Sequence, residues 1–267
     1  MQSLAKIDDK QAIEAFLRND KLLHLYEIGD LDAFFWPYTE WHGLRDHDGR
    51  LCALAMLYTG MAVPTVLALE RSNVNALRTL LKELVPELPE RFHAHLTPAA
   101  AESLRPERCL RVENPCLKLG LVQLETLHGV PTPDVERLTM NDRGELERFY
   151  GESYPDNWFD PRMLETDHYF GVRERGQIVC VAGIHVYSPE YGVAALGNIA
   201  TALDHRGKGL ARRATAKLCQ VLLETVDTIG LNVKADNDAA IACYRGLGFE
   251  VTAEYGEYLF ESVGLNQ

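Results

Sequence analysis

Apolar and polar positions in the second half of the chain alternate between a strand-like and a helical pattern. Residues 193–200 form a nearly continuous apolar run of strand length. Apolar residues then recur at helical spacing, at Leu210, Ala214, Leu218, Val221 and Leu222. Residues 231–233 predict another strand. Asp236 and Asn237 are helix-capping residues, and they predict a short helix that ends near Arg245.

The first half of the chain repeats this order. Residues 41–56 predict a hairpin that aligns with a second predicted hairpin at residues 169–184 when one turn residue is dropped. A strand at residues 65–69, a helix at 74–84, a strand at 91–97, a short helix at 98–104 and two strands within 110–122 are predicted to follow. The repeat favours an internal duplication. The alternative is that any chain of mixed strands and helices shows some such order.

The turn between the strand at 193–200 and the following helix has the composition of an anion-binding loop. The first N–H groups of a helix have no partner within the helix, and the helix dipole favours negative charge there. Gly207 and Gly209 allow the backbone to approach a phosphate closely, while Arg206 and Lys208 add positive charge. The sequence therefore predicts a ligand with phosphate groups. An ordinary glycine-containing turn is the alternative.

Two motifs in this half resemble the GNAT superfamily of N-acetyltransferases. Arg206, Gly209 and Ala211 match R-x-x-G-x-A, the pyrophosphate loop of these acetyl-CoA-dependent enzymes. Asn237, Ala240 and Tyr244 begin a match to N-x-x-A-x-x-x-Y-x-x-x-G-F, which ends at residues 248–249. Since both motifs occur in the right order, the chain is identified as a member of this superfamily.

The resemblance implies roles for individual residues. The strands of the catalytic domain would splay after the fourth strand, where backbone groups of Ile199, Ala200 and Thr201 would bind the pantetheine arm and one N–H would stabilise the oxyanion. The remaining cofactor positions would be Arg206, Gly207, Lys208, Gly209, Leu210, Ala211, Asn237 and Ala240. Tyr244 would bind cofactor and protonate the departing thiolate. A plain helix cap also explains Asn237, and a core aromatic also explains Tyr244.

The general base is not indicated by the motifs. Many GNAT enzymes place a Glu on the fourth strand, where this chain has Asn198. A water relay is one solution, with His185, Glu152 or Asp156 as the base, although a structural histidine is a common alternative. Residues 150–160, which include Trp158, fall where the resemblance places a substrate-facing loop. Their aromatic and acidic side chains would suit an amine, or would simply pack as a loop.

The predicted fold class is α/β with mixed sheets, arranged as two tandem GNAT-like domains, each a twisted sheet flanked by helices. Residues 128–133 contain two prolines and predict a linker. We therefore expect a degenerate domain at 1–127 and a catalytic domain at 134–267. The turn of the first domain, residues 70–76, has no glycine and begins with an acidic residue. This architecture resembles the glycine N-acyltransferase-like branch, and mycothiol synthase also pairs two such domains.

The net charge and the cysteine pattern restrict the expected partners and the expected cellular compartment. The formal net charge is −12, which disfavours nucleic acid as a partner. From residue 131 onward there are 13 Lys and Arg against 21 Asp and Glu, yet five cations lie within residues 206–217. The six cysteines are scattered without a CxxC pair, so we expect reduced thiols in the cytoplasm and no metal site. No apolar run of membrane-spanning length or leader pattern is seen, so no membrane partner is expected.

The expected function is direct transfer of an acetyl or short acyl group from acyl-CoA to the amine of a small molecule. One alternative is a non-catalytic CoA-binding sensor or structural module, which the missing strand glutamate would favour and an intact Tyr244 would disfavour. The other alternative is a peptide N-terminal acetyltransferase.

Overall fold

The computed structural model describes residues 3–155 and 157–263, which form two compact units. The first unit comprises the chain up to Lys118, residues 234–236, and the chain from Thr252 onward. The second unit comprises residues 119–233 and 237–251. The division into folding domains at 1–127 and 134–267 stays a prediction.

Strands and helices alternate along the first part of the chain. In order they are β1 (Ser3–Lys6), α1 (Lys10–Leu17), α2 (Leu25–Gly29), β2 (Thr39–Arg45), β3 (Leu51–Tyr58), β4 (Thr65–Ala68), α3 (Val74–Leu84), β5 (Arg91–Leu96), α4 (Pro98–Ala101) and β6 (Arg108–Leu121).

The second part has a similar succession of elements. They are β7 (Glu136–Leu138), α5 (Arg143–Ser153), β8 (Tyr169–Glu174), β9 (Gln177–Ser188), β10 (Val193–Thr201), α6 (Leu210–Leu222), β11 (Thr228–Lys234), α7 (Asp238–Arg245) and β12 (Phe249–Ser262).

The first unit contains a mixed sheet with a helix packed on it. Strands β1 to β4 pair antiparallel in chain order, β4 and β5 pair parallel, and β5 pairs antiparallel with β12. The helix α3 buries leucines at positions 77, 80, 81 and 84. This spacing places them on one face, where they form a core with Val66, Phe92 and Phe260.

The second unit contains a sheet of the same kind. Strands β7 to β10 pair antiparallel in chain order, and β10 pairs parallel with β11. The amphipathic helix α6 buries Leu210, Ala214, Leu218 and Leu222 against this sheet, as the helical spacing predicts. Val221, which follows the same spacing, is only partly buried.

The order of elements confirms the predicted fold class and the tandem architecture. A hairpin, a strand, a helix, a strand, a short helix and a strand follow each other from β2 to β6 and again from β8 to β12. One detail is wrong: the two strands expected within residues 110–122 are a single strand, β6, of 14 residues. A proline at position 115 lies within β6 without ending it. The helices in the described part of the chain include none with the length and hydropathy of a membrane-spanning segment.

Candidate active site

The turn between β10 and α6 has the geometry of an anion-binding loop. Gly207 and Gly209 adopt φ values of 75° and 73°, in the left-handed region that favours glycine. A Cβ at either position would meet no atom within 4 Å, so the space beside the backbone is open. Helix α6 begins at Leu210 without a side-chain cap. No described residue accepts a hydrogen bond from the backbone N–H groups of residues 207–211. These donors therefore point to an anionic ligand.

Two of the five cations near this loop are already paired with carboxylates. Arg213 forms a bidentate ion pair with Asp134, with nitrogen–oxygen distances of 3.1 and 2.7 Å. Lys208 Nζ lies 4.0 Å from Glu174 Oε1, and both side chains are about half exposed. Their positive charge is thus partly compensated within the protein.

The other three cations keep their charge uncompensated. Arg206 Nε donates to the Thr201 carbonyl at 3.2 Å, which directs this side chain along the loop without neutralising it. Within the described residues, neither Arg212 nor Lys217 has a carboxylate partner. The loop and the first two turns of α6 therefore carry net positive charge, as an anionic cofactor requires.

Strands β10 and β11 separate beside this loop. Their parallel pairing runs from Val193 to Leu196 on β10, although β10 continues to Thr201. A bulge interrupts β10 between Gly197 and Ala200, where its pairing with β9 skips a residue. Residues 199–201, which we expected to bind the pantetheine arm through their backbone, lie beyond the paired part of the two strands.

Asn198 lies in the bulge of β10 and is held there by hydrogen bonds to neighbouring segments. It is a non-glycine residue with a φ of 52°, a conformation that Asn tolerates better than most residues. Its Oδ1 accepts a hydrogen bond from the backbone N–H of Trp158 at 3.1 Å, and its Nδ2 donates to the Tyr169 hydroxyl at 3.1 Å. Its backbone carbonyl accepts from the Tyr150 hydroxyl at 2.7 Å. The amide is therefore used to hold the bulge and the loop around Trp158.

His185 lies in a second bulge, on the neighbouring strand β9. The pairing of β9 with β10 passes from Val186 directly to Ile184, so His185 is the extra residue. Its ring lies so close to Gly197 that a Cβ at that position would overlap it. The imidazole is thus positioned next to the bulge of β10, and the glycine at 197 makes the space for it.

Helix α7 carries Asn237 at its N-cap and Tyr244 in its last turn. Asn237 caps the helix, with Oδ1 accepting from the Ala240 N–H at 3.2 Å. Tyr244 lies in the last turn, is 8% exposed, and contacts Phe249 with ring centroids 6.0 Å apart. No described residue forms a hydrogen bond with its hydroxyl group. Burial raises the pKa of Tyr244, so the phenol keeps its proton at any working pH.

The segment after α5 presents aromatic side chains. Tyr154 and Trp158 are 38% and 40% exposed, and the charge of an ionised Tyr154 would raise the pKa of Tyr244 further. Glu152 is exposed in the last turn of α5 rather than in the loop that follows. Asp156 lies outside the described residues.

Three residues that position the site carry no recognisable signal in the sequence. Tyr150 and Tyr169 bind Asn198, yet in the sequence they look like ordinary core aromatics. Glu174 ends β8 and lies close to Lys208 and His205. These relations arise from strands that are distant in sequence, so only the paired sheet reveals them.

Comparison with known proteins agrees with the resemblance of the two motifs to GNAT acetyltransferases. A model of the acetyltransferase (GNAT) family matches residues 134–249. The chain is 33% identical over 114 residues to N-alpha-acetyltransferase RimI of Mycobacterium tuberculosis. This alignment covers 40% of this chain and 68% of the RimI protein. It is 34% identical over 129 residues to an uncharacterised protein of Mycobacterium leprae, covering 46% of this chain and 34% of that protein.

Solved structures show the same fold over the whole chain. A tandem GNAT protein from the clavulanic acid biosynthesis pathway matches with a TM-score of 0.59 and 14% identity, and all of both chains is covered. An acetyltransferase of the GNAT family from Colwellia psychrerythraea matches with a TM-score of 0.58 and 13% identity over 97% of this chain and 99% of that chain. At these identities the likeness concerns the fold alone.

Proposed function

This chain belongs to the GNAT acetyltransferase family, and on that premise we propose that it transfers an acetyl or short acyl group from acyl-CoA to the amine of a small molecule. The observation that carries the proposal is the open, cationic loop at residues 206–211 together with Tyr244, whose hydroxyl has no hydrogen-bond partner among the described residues. Both lie in the second unit.

The residues present fit the phosphates of CoA. The N–H groups of residues 207–211 would donate to the pyrophosphate, and Arg206 and Arg212 would balance its charge. Backbone groups of residues 199–201 would bind the pantetheine arm beyond the end of the β10–β11 pairing. Acyl-CoA supplies the activated acyl group, and the protein aligns the two reactants, which is the main source of rate in such a direct transfer.

We propose that the first unit has no equivalent site, because the turn at residues 70–76 is filled by its own carboxylate. Glu70 Oε1 accepts hydrogen bonds from the N–H groups of Ser72 and Asn73, at 2.6 and 3.2 Å. Asn73 in turn caps α3 by accepting from the Ala76 N–H at 3.3 Å. The donors that would receive a phosphate are thus engaged by Glu70 and Asn73. We propose one CoA site per chain.

We assign the proton transfers to Tyr244 and His185. Tyr244 would donate its proton to the sulfur of the departing thiolate, a step that its raised pKa makes costlier but that keeps the donor protonated. His185 would accept a proton from the amine, directly or through water, because its ring lies beside the bulge of β10. Replacing His185 with Gln should lower kcat and leave the Kd of acetyl-CoA unchanged. Glu152→Gln, at an exposed position, is the matched comparison.

For the acceptor we propose a small amine bound beside Trp158. The Asn198 side chain fixes the backbone of Trp158, which holds the exposed indole in place. An indole face attracts ammonium groups, and the acidic chain favours cationic substrates in general. A peptide N-terminus is the second candidate, which the similarity to RimI favours. We further propose a cytoplasmic location, consistent with six cysteines of which none forms a disulfide in the described structure.

The test is release of free thiol from acetyl-CoA with two panels of acceptors, small amines and short peptides with free N-termini. We expect turnover with at least one small amine, and a large loss of turnover in Tyr244→Phe. Turnover with peptides alone would overturn the proposed acceptor class and support the second candidate. Equal turnover by wild type and Tyr244→Phe would overturn the assignment of the acid.

A further inference from the structure

The first unit contains a buried cluster of charged and aromatic side chains that acetyl transfer in the second unit does not use. Lys118, near the end of β6, is 3% exposed, and Glu27 on α2 is 2% exposed. The ammonium group of Lys118 lies over the rings of Tyr26 and Tyr255, at 4.9 and 5.3 Å from their centroids. Charged groups are rarely buried to this extent without close partners.

The two opposite charges attract each other without touching. The attraction of Lys118 helps to keep Glu27 ionised, because together with the His24 hydrogen bond it outweighs burial and lowers the pKa of Glu27. Nevertheless, no ion pair within 4.0 Å joins the two in the described part of the chain. Their separation therefore exceeds a direct contact.

Each group also retains an unused hydrogen-bonding atom. Glu27 Oε1 is bonded to His24 Nδ1 at 3.4 Å, but the buried Oε2 has no partner among the described residues. The Lys118 ammonium has no hydrogen-bond acceptor in the same part of the structure. His95 Nδ1 is likewise buried without a described partner. An unmet buried donor or acceptor is costly, and more so when charged. The Glu27 oxygen and the His95 nitrogen, together with the unbonded Lys118 ammonium, therefore call for a bridging molecule.

The cluster has a polar border at the edge of the unit. Glu257 on β12 pairs with His95 on β5 in the sheet, and the side chains of both are partly exposed. Glu257 accepts a hydrogen bond from the Tyr255 hydroxyl at 2.6 Å. His95 is kept neutral by burial, which lowers its pKa, so it adds a hydrogen-bonding ring rather than a charge.

We propose that this cluster is a binding site for a small zwitterion of the α-amino acid class. The ligand carboxylate would accept from Lys118, and the ligand ammonium would donate to Glu27 Oε2. The rings of Tyr26 and Tyr255 would line the site, and His95 would form the remaining hydrogen bond. The ligand carboxylate and ammonium would supply hydrogen-bond partners to both oppositely charged side chains, whereas a simple anion or a simple cation could serve only one of them. This site is separate from the loop and the tyrosine that carry the proposed acetyl transfer.

The direct test is calorimetric titration of the full chain, without CoA, with glycine, L-glutamate and L-lysine. Acetate and methylamine serve as half-ligands that carry only one of the two charges. We expect binding of at least one amino acid at one site that depends on Glu27 and Lys118, and at least roughly tenfold weaker binding of both half-ligands. Glu27→Gln and Lys118→Met should each weaken amino acid binding by a similar factor. Lys82→Met, at an exposed lysine of α3, should not change it.

A second measurement needs no variant and covers the case in which the core substitutions prevent folding. Amide hydrogen exchange of the wild-type chain should slow in α2 and β5 when the amino acid is added. Absence of binding by all three amino acids would overturn the proposal. It would also be overturned by binding that both core variants retain, or by protection confined to residues 150–160 of the second unit. Any of these results would leave the proposed acetyl transfer untouched.

Discussion

Gly209→Ala tests whether the left-handed backbone of the loop is what binds the cofactor. Gly209 has a φ of 73° and immediately precedes α6. A Cβ there would meet no atom within 4 Å, so the substitution introduces no clash with the protein. Its effect must therefore come from the backbone conformation, which alanine disfavours, and from the added methyl group beside the phosphates.

The expected size follows from the cost of the left-handed conformation, about 1–2 kcal/mol for a residue with a Cβ. Because residue 209 is exposed and unpacked, the free loop can relax to avoid this cost. Binding must then restore the original geometry, so the cost appears in affinity. A loss of about 1–2 kcal/mol raises the Kd of CoA by about 5- to 30-fold.

The chain offers a matched control in Gly176. It has a φ of 81°, and a Cβ there would also meet nothing within 4 Å, but it lies in the hairpin turn between β8 and β9. Gly176→Ala should lower the melting temperature by a few degrees and leave CoA affinity unchanged. Gly209→Glu should weaken binding more than Gly209→Ala, because it also adds negative charge.

The assay is calorimetric titration of CoA into each variant, with circular dichroism to confirm folding. Wild type should bind one CoA per chain. The reasoning would be refuted if Gly209→Ala and Gly209→Glu both kept Kd values within about twofold of wild type. Two equivalent sites per chain would refute the inference that Glu70 blocks the turn of the first unit.

Three further predictions concern the acid, the bulge and the charge beside the loop. Tyr244→Phe should lower kcat by about 10²–10⁴-fold with little change in the Kd of acetyl-CoA, and a rate within about twofold of wild type, with chemistry limiting, would make the residue structural. The pH profile of kcat should show no alkaline limb from this phenol, because burial raises its pKa. Asn198→Ala should lower the free energy of unfolding by about 2–4 kcal/mol in urea titrations, since it removes the acceptor of the Trp158 backbone N–H and the Nδ2 donor to the Tyr169 hydroxyl. Asn198→Gly should recover about 1 kcal/mol of this loss because of the positive φ, and equal stability of both variants would argue against strain there. Glu174→Gln should tighten CoA binding by up to about fivefold at low salt, by releasing Lys208, and the gain should shrink as salt screens the loop; unchanged affinity would show that this pair is not coupled to the site.

The sequence alone determined the elements whose patterns are local. Helix α3 was predicted with its observed ends, and α7 with its cap at Asn237, because capping residues and apolar spacing act within a few residues. The candidate cofactor loop could also be predicted from the sequence, since two glycines, two cations and the start of a helix lie next to each other in the chain. The single strand β6 was predicted as two strands, because a local pattern does not show whether neighbouring extended segments join into one strand.

Only the tertiary structure decided how distant residues meet. The bond of Asn198 to Trp158 and Tyr169 joins three elements, and the position of His185 against Gly197 depends on bulges in two paired strands. The buried cluster around Lys118 joins residues more than ninety positions apart in the chain. No local pattern encodes such contacts, because strand register and the packing of the core fix them together once the whole unit is folded.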